Sequence, residues 1–265
     1  MIDPSFPIIV LSGAGGGAPN LAELTGSPDS CFETIGYPGW QRYVADGFSA
    51  ENFIGELATQ IEARVPRGPI GIVGLSIGGH FGYAAALCLK ARGREIAGLC
   101  AIDTFMIASS KPSAGWKGRA LAQGWELIRK RRIREFVLFM RSKFWRALLR
   151  FSGNRLPSLL RRSSLFRRLP SVTMLDPVLE EELSMRLLIR EVAPWIASLD
   201  REPIALEAPA TLLRTEFTAN DDAAWRRRCP DIEIREITGQ HHTLFEPENI
   251  GSLREAFITA TSAWR

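Results

Sequence analysis

The chain has 265 residues, 46% of them hydrophobic, and a formal net charge of +4. That suits one large domain, or a domain carrying an insertion, and no stretch approaches the roughly 18 consecutive apolar residues of a membrane span. Met1-Ile2-Asp3-Pro4 sets no basic region before the first apolar run, which argues against a signal peptide.

Phe6-Pro7-Ile8-Ile9-Val10-Leu11 is a continuous apolar run of strand length that opens into Ser12-Gly13-Ala14-Gly15-Gly16-Gly17. A strand feeding a glycine-rich loop points to an anion site. The dinucleotide pattern G-x-G-x-x-G begins at Gly13-Ala14-Gly15 but has Ala18 in its last place, and no Gly-Lys-Ser/Thr follows to make a P-loop. The preferred reading is an oxyanion loop, whose backbone N–H groups face a nucleophile. Residues 31–36 form a weaker strand candidate, closed by the turn Tyr37-Pro38-Gly39. Ser49 is placed to cap a helix in which Ile54, Leu57, Ile61 and Val65 recur at helical spacing.

Pro69 to Val73 predicts a short buried strand, followed by Gly74-Leu75-Ser76-Ile77-Gly78-Gly79-His80 and an Ala- and Leu-rich helix over 81–92. A Gly-x-Ser-x-Gly turn between strand and helix is what a nucleophile elbow needs. The serine sits in a strained backbone conformation, so the residues two places away must lack side chains, and the helix N-terminus favours negative charge nearby. Gly93 ends the helix, and Ile96 to Ile102 is another buried strand, closing at Asp103. Strands and helices alternating in this way predict a parallel sheet covered on both faces.

The alternation stops over 104–200. Trp125, Ile128, Phe136, Phe139, Met140, Phe144, Leu148 and Leu149 are interleaved there with arginines in basic amphipathic helical pieces. Gly153-Asn154 and Pro157 interrupt them, and Leu175-Asp176-Pro177 starts a more acidic helix, Val178 to Arg190. From Lys111 to Pro170 there are 17 Lys and Arg against two acids, Glu126 and Glu135, a local balance of +15 that leaves −11 for the rest of the chain. Alternation resumes with strands over 210–215 and 232–237, a short helix near 223–228 and a last helix over 250–264.

The four cysteines (Cys31, Cys88, Cys100, Cys229) show no CxxC pair and no histidine at ligand spacing, so the chain reads as reduced, cytoplasmic and metal-free. Gly239-Gln240-His241-His242-Thr243-Leu244 follows the last strand, where catalytic groups collect in α/β sheets. His80, one helical turn past Ser76, reads as a packing residue, so the base for a serine nucleophile is His241 or His242. For the orienting carboxylate, Asp103 follows its strand directly, while Asp221 and Asp222 lie in the loop after the 210–215 strand.

These motifs, in this order, resemble a thioesterase domain of the α/β-hydrolase superfamily, of the chain-terminating kind that ends non-ribosomal peptide and polyketide synthases. Ile9 to Gly16 is similar to that family's first strand and oxyanion loop, and Gly74 to Gly79 matches its Gly-x-Ser-x-Gly-Gly. The family places its aspartate just under thirty residues past the serine, and Asp103 lies 27 past Ser76. Gly239 to Phe245 resembles its C-terminal histidine motif, with His241 in the catalytic place. Ser12-Gly13 departs from the His-Pro-like pair usual there, and the insertion is longer and more basic than the family's lid. Discrete editing thioesterases draw their aspartate from after the penultimate strand, which keeps Asp222 as the alternative.

The resemblance implies an α/β-hydrolase fold over 1–265, a mostly parallel sheet flanked by helices, with a core of 1–103 and 201–265 and a helical basic lid insertion over 104–200. It also implies a thioesterase with Ser76 as nucleophile, His241 as base, Asp103 orienting it, and the N–H groups of Ala14 and Ile77 as oxyanion hole. No cofactor is expected, because the acyl chain arrives on the phosphopantetheine arm of an acyl or peptidyl carrier protein, with parent synthase modules as further partners. The basic segment reads as a solvated lid paired with the acidic body, as a carrier-docking surface, or as a membrane-surface contact. The last would make the chain a lipase-like carboxylic-ester hydrolase. Nucleic acid is not an expected partner.

Overall fold

Each apolar run of the sequence becomes a strand, and their order across the sheet creates the place for a site. The computed structural model describes residues 6–15, 24, 32–104, 124–152, 177–216, 222–241 and 243–264. Strands β1 (Ile8–Leu11), β2 (Phe32–Ile35), β3 (Ile70–Leu75), β4 (Ile96–Ile102), β5 (Ala210–Arg214) and β6 (Glu233–Glu236) form one sheet in the order β2-β1-β3-β4-β5-β6. Every neighbouring pair is parallel. β1 and β4 are wholly buried and β3 and β5 nearly so, as strands covered on both faces must be. Chain order reverses between β1 and β3, and α/β sheets bind ligands beyond the carboxyl ends of the strands at such a switch point.

The helices are α1 (Trp40–Val44), α2 (Ala50–Arg64), α3 (Ile77–Ala91), α4 (Ile133–Ser152), α5 (Pro177–Arg201), α6 (Asp222–Arg228) and α7 (Ile250–Ser262). Ser49 caps α2 as expected, its hydroxyl accepting from the Asn52 N–H at 3.1 Å. Alternation along β3 and β4 assigns the two faces. Ile72 and Leu99 meet α3 at Gly82, while Gly71 and Gly98 leave room for the Trp264 indole on the other side. A Cβ on Gly98 would come within 2.2 Å of that indole. Trp264 also stacks on Phe6 at 6.4 Å and joins a core with Phe257, Leu253, Val73 and Cys100.

Four elements depart most from the sequence expectation. β3 runs on to Leu75 and α3 begins at Ile77, so the elbow has no linker on either side of Ser76. Helix α1 was not expected, being five residues long with no side-chain cap. The acidic helix, expected to end at Arg190, continues through Pro194 to Arg201. Proline there removes one backbone donor, but Val192 and Ile196 prolong the buried stripe of Leu183, Leu187 and Leu188, and that burial outweighs the lost bond.

The chain divides into two compact units. Met1–Tyr37, Ser49–Ala108 and Val192–Arg265 make the first, which carries the sheet; Pro38–Phe48 and Ser109–Glu191 make the second. In the second unit the exposed apolar residues Ile133, Val137, Met140 and Phe144 are spaced so as to share one face of α4. Gly124 packs against the rings of Phe136 and Phe139. Among the described residues no helix is long and apolar enough to cross a membrane. Cys31, Gly153-Asn154 and Pro157 lie outside the described residues.

Trp264 fills the shelf that Gly71 and Gly98 leave open, so Trp264→Ala is expected to lower unfolding stability by about 3–5 kcal/mol. Urea denaturation followed by circular dichroism measures this, and a loss under 1 kcal/mol contradicts it.

Candidate active site

Ser76 stands at the junction of β3 and α3 with φ 55 and ψ −125, a conformation that non-glycine residues rarely hold. The surrounding backbone leaves it no alternative. A Cβ on Gly74 would come within 2.2 Å of the Gly78 carbonyl oxygen, and one on Gly78 within 2.3 Å of that of Leu11. Strand end, helix start and the end of β1 are therefore packed backbone to backbone. The Ser76 N–H donates to the Ile102 carbonyl at 2.8 Å, tying the elbow to the end of β4.

The loop after β1 lies against this turn. A Cβ built on Gly13 would sit 3.5 Å from that of Ser76, so Ala14 follows directly beside the elbow. The Tyr37 hydroxyl donates to the Ser12 carbonyl at 2.6 Å and anchors the loop. Tyr37 is itself packed edge-on against Phe53 and Phe81. Read in sequence only as a turn residue, Tyr37 gave no signal of this contact. Ile77 is the first residue of α3, where backbone N–H groups lack intrahelical partners.

Asp103 and His241, 138 residues apart, meet at 2.6 Å through Oδ2 and Nδ1. The Asp103 side chain is fully buried, whereas that of His241 is 43% exposed. The other carboxylate oxygen, Oδ1, accepts from the Thr215 N–H at 3.2 Å and the Thr215 hydroxyl at 2.9 Å. Asp103 has φ 45, and its N–H donates to the Leu213 carbonyl at 2.7 Å. Burial pushes this carboxyl upward, but the hydrogen bond and charge of His241 and the two Thr215 donors outweigh it, leaving the group below the ordinary carboxylate range. His241 sits in a turn pinned locally: Gln240 N–H donates to the Thr243 hydroxyl at 2.9 Å, and Asn249 Nδ2 to the Thr243 carbonyl at 3.0 Å. Gly239 opens that turn at φ 100, and a Cβ there would press on Asn249 at 2.7 Å.

The alternative carboxylate is engaged elsewhere. Asp222 begins α6 and approaches Arg214 Nε at 3.0 Å, a contact too poorly aligned to count as a hydrogen bond. Asp221 and His242 lie outside the described residues. His80 is fully buried, stacked on Trp225 with Nδ1 against Arg228, which fits the packing role read from its position. Among the described residues no group of three His, Cys, Asp or Glu side chains converges as metal ligands would.

Thr215→Val removes one donor from a buried carboxylate and is expected to cost about 1–3 kcal/mol at pH 7. The folded-state pKa of Asp103 is depressed, so its stabilisation is present above the unfolded value near ~4 and is lost as pH falls through the lower folded one. The gap between wild type and Thr215→Val should therefore close in acid; unfolding curves from pH 7 down to pH ~2 measure it, and a gap that stays constant contradicts the assignment.

The model of the thioesterase domain family matches residues 7–261. Comparison with curated protein sequences gives no match. Among solved structures the chain is similar to the NocB thioesterase domain in covalent complex with a fluorophosphonate nocardicin G analog, at TM-score 0.60 and 18% identity, over 97% of this chain and 95% of that one. It is similar to the Vlm2 thioesterase domain bound with a dodecadepsipeptide, at TM-score 0.56 and 17% identity over 96% of each chain. It also matches part of the four-domain nonribosomal peptide synthetase AB3403, at TM-score 0.57 and 18% identity, covering 96% of this chain and 19% of that one. With the family pattern running through nearly the whole chain, on a sheet of the α/β-hydrolase kind with a serine elbow at its switch point, this protein belongs to the thioesterase domain family and is a serine hydrolase.

Proposed function

We propose that the protein releases an acyl chain (polyketide, peptide or fatty acyl) from the phosphopantetheine arm of a carrier protein through an acyl intermediate on Ser76. The observation that carries this reading is the contact between buried Asp103 and His241 on the loops beyond β4 and β6, in a sheet whose β3 ends in the Ser76 elbow. In the proposed reaction His241 Nε2 takes the Ser76 proton as Oγ attacks the thioester carbonyl, and Asp103 orients the ring through Nδ1. The N–H groups of Ile77 and Ala14 hold the developing oxyanion. Collapse breaks the C–S bond, the imidazolium returns its proton to the thiolate, and the acyl group stays on Ser76. Water then yields the free acid, or a nucleophile within the acyl chain closes a ring. These steps draw only on the chain's own side chains and backbone.

Segment 104–200 is read as a lid insertion, and its basic stretch as the docking surface for a carrier protein. Such partners are acidic, and positive patches accelerate their encounter. The chain-terminating subtype follows from the use of Asp103. Cys88, Cys100 and Cys229 are free thiols, in keeping with a reduced cytoplasm. One observation favours a second reading, a lipid-facing ester hydrolase. Exposed Trp125, Ile133, Val137, Met140 and Phe144 lie among basic residues, as in helices that rest on anionic lipid surfaces.

Intact-protein mass spectrometry after mixing with acyl-loaded carrier protein, and separately with an acyl-N-acetylcysteamine thioester, tests the reading. A mass increase on wild type that Ser76→Ala abolishes is expected, with turnover falling at least about 10³-fold in Ser76→Ala and His241→Ala. Hydrolysis of simple esters with neither adduct nor thioester turnover moves the assignment to the ester hydrolase, and cosedimentation with anionic vesicles then supports it.

In the same assay Arg129→Glu with Arg134→Glu should lower kcat/KM on carrier-bound substrate about 10-fold while sparing the small thioester. Raised salt should narrow that difference. Equal losses on both substrates contradict carrier docking at this segment.

A further inference from the structure

Arg228 is a fully buried cation at the end of α6, and its partners come from α3, α5 and its own helix. Its Nη2 donates to Asp200 Oδ1 at 2.6 Å, and its Nη1 lies 2.7 Å from His80 Nδ1. A guanidinium has no acceptor, so His80 accepts at Nδ1 and is the neutral ring protonated on Nε2. The same guanidinium lies over the rings of Tyr83, at 5.1 Å, and Trp225, at 5.4 Å. The His80 ring stacks on Trp225 with centroids 5.9 Å apart and planes 17° from parallel.

This cluster reaches the acid of the site through one residue. Trp225 Nε1 donates to the Thr104 carbonyl at 3.1 Å, and Thr104 immediately follows Asp103. Thr104 Oγ1 fills the space above Gly79, where a Cβ would come within 2.0 Å of it. Thr104 is thus clamped between the first turn of α3 and the indole. Asp103 needs such support, because its φ of 45 is a conformation that persists only when its neighbours over-determine it. Leu213 and Thr215 hold it from the β5 side; Thr104, Gly79 and Trp225 hold the outgoing chain. His80 lies four residues past Ser76 on α3, so one stack joins the nucleophile's helix to the acid's loop.

We propose that Trp225 and Arg228 are positioning residues for the reaction: Trp225 holds the Asp103 loop through Thr104, and Arg228 locks Trp225 and His80 in register beneath the elbow. The inference rests on the reading of Ser76, Asp103 and His241 as the catalytic set, and it assigns neither residue a contact with substrate.

Trp225→Phe tests it, keeping an aromatic ring beside His80 and Arg228 while removing the Nε1–H together with part of the buried indole volume. A fluorophosphonate probe counts reactive Ser76, so that rates refer to folded, competent sites. The expected result is a fall in kcat of about 10-fold per titrated site with KM unchanged, and no further fall when Trp225→Phe is added to Asp103→Asn, since groups acting as one unit are not additive. Arg228→Lys keeps a charge beside Asp200 but gives up the fork to His80, and should show the same pattern at several-fold. Wild-type kcat per titrated site in both variants, or a Trp225→Phe loss that adds in full to that of Asp103→Asn, overturns the inference. If wild type itself takes no probe on Ser76, the catalytic reading fails and the inference falls with it.

Discussion

The structure depends on a contact between bare backbones. β3 ends, α3 starts and β1 ends within a few ångströms of one another, and the approach is open only because Gly74 and Gly78 lack a Cβ. That approach holds Ser76 at positive φ, lays α3 across β1, β3 and β4, and brings the Ser12–Gly13 loop against the elbow. A methyl group at either glycine would separate helix from strand, and the features of the site would separate with them.

Charge is used in two different ways in this chain. Around Asp103 and Arg228 it is buried and matched. The Asp103 carboxylate has donors on both oxygens, and the Arg228 guanidinium has Asp200, His80 and two aromatic faces. Removing a partner from either leaves an uncompensated ion in a low-dielectric interior, so these groups hold their neighbours to one geometry. At the described residues of the basic segment the charge is mostly exposed. Its pairs there, Lys130 with Glu126 and Arg132 with Glu135, are solvated contacts that add little stability. A surface of that kind acts on encounter with a partner or an interface rather than on folding.

Family membership and the local geometry bear on different questions. The family match covers almost the whole chain and carries the reaction class, while structural neighbours at 17–18% identity carry the fold. The roles proposed for Ser76, Asp103 and His241 rest on chemistry, namely a strained serine at a strand end, an imidazole on a loop, and a buried carboxylate bonded to that imidazole. Departures from the family pattern gather around this centre rather than within it. Ser12-Gly13 stands where a His-Pro-like pair is usual, yet Tyr37 anchors that loop through the Ser12 carbonyl.

What the sequence determined by itself was local: apolar runs for the strands, the glycines two places either side of Ser76, the Ser49 cap and the end of regular strand–helix alternation after Asp103. Each depends on residues within a few positions of one another, and their physics is complete at that range. The sequence favoured Asp103, which follows its strand directly, over Asp221 and Asp222 in a later loop, but the contact of a carboxylate with the histidine exists only in the tertiary structure. Pairing β4 with β5 in register brings the Leu213 carbonyl and Thr215 to Asp103, and the turn after β6 then delivers His241 to it. The Tyr37–Ser12 anchor, the passage of α5 through Pro194 and the Arg228–His80 contact across 148 residues are of the same kind. They arise where burial joins distant segments, and no spacing along the chain encodes a contact that strand order and register create.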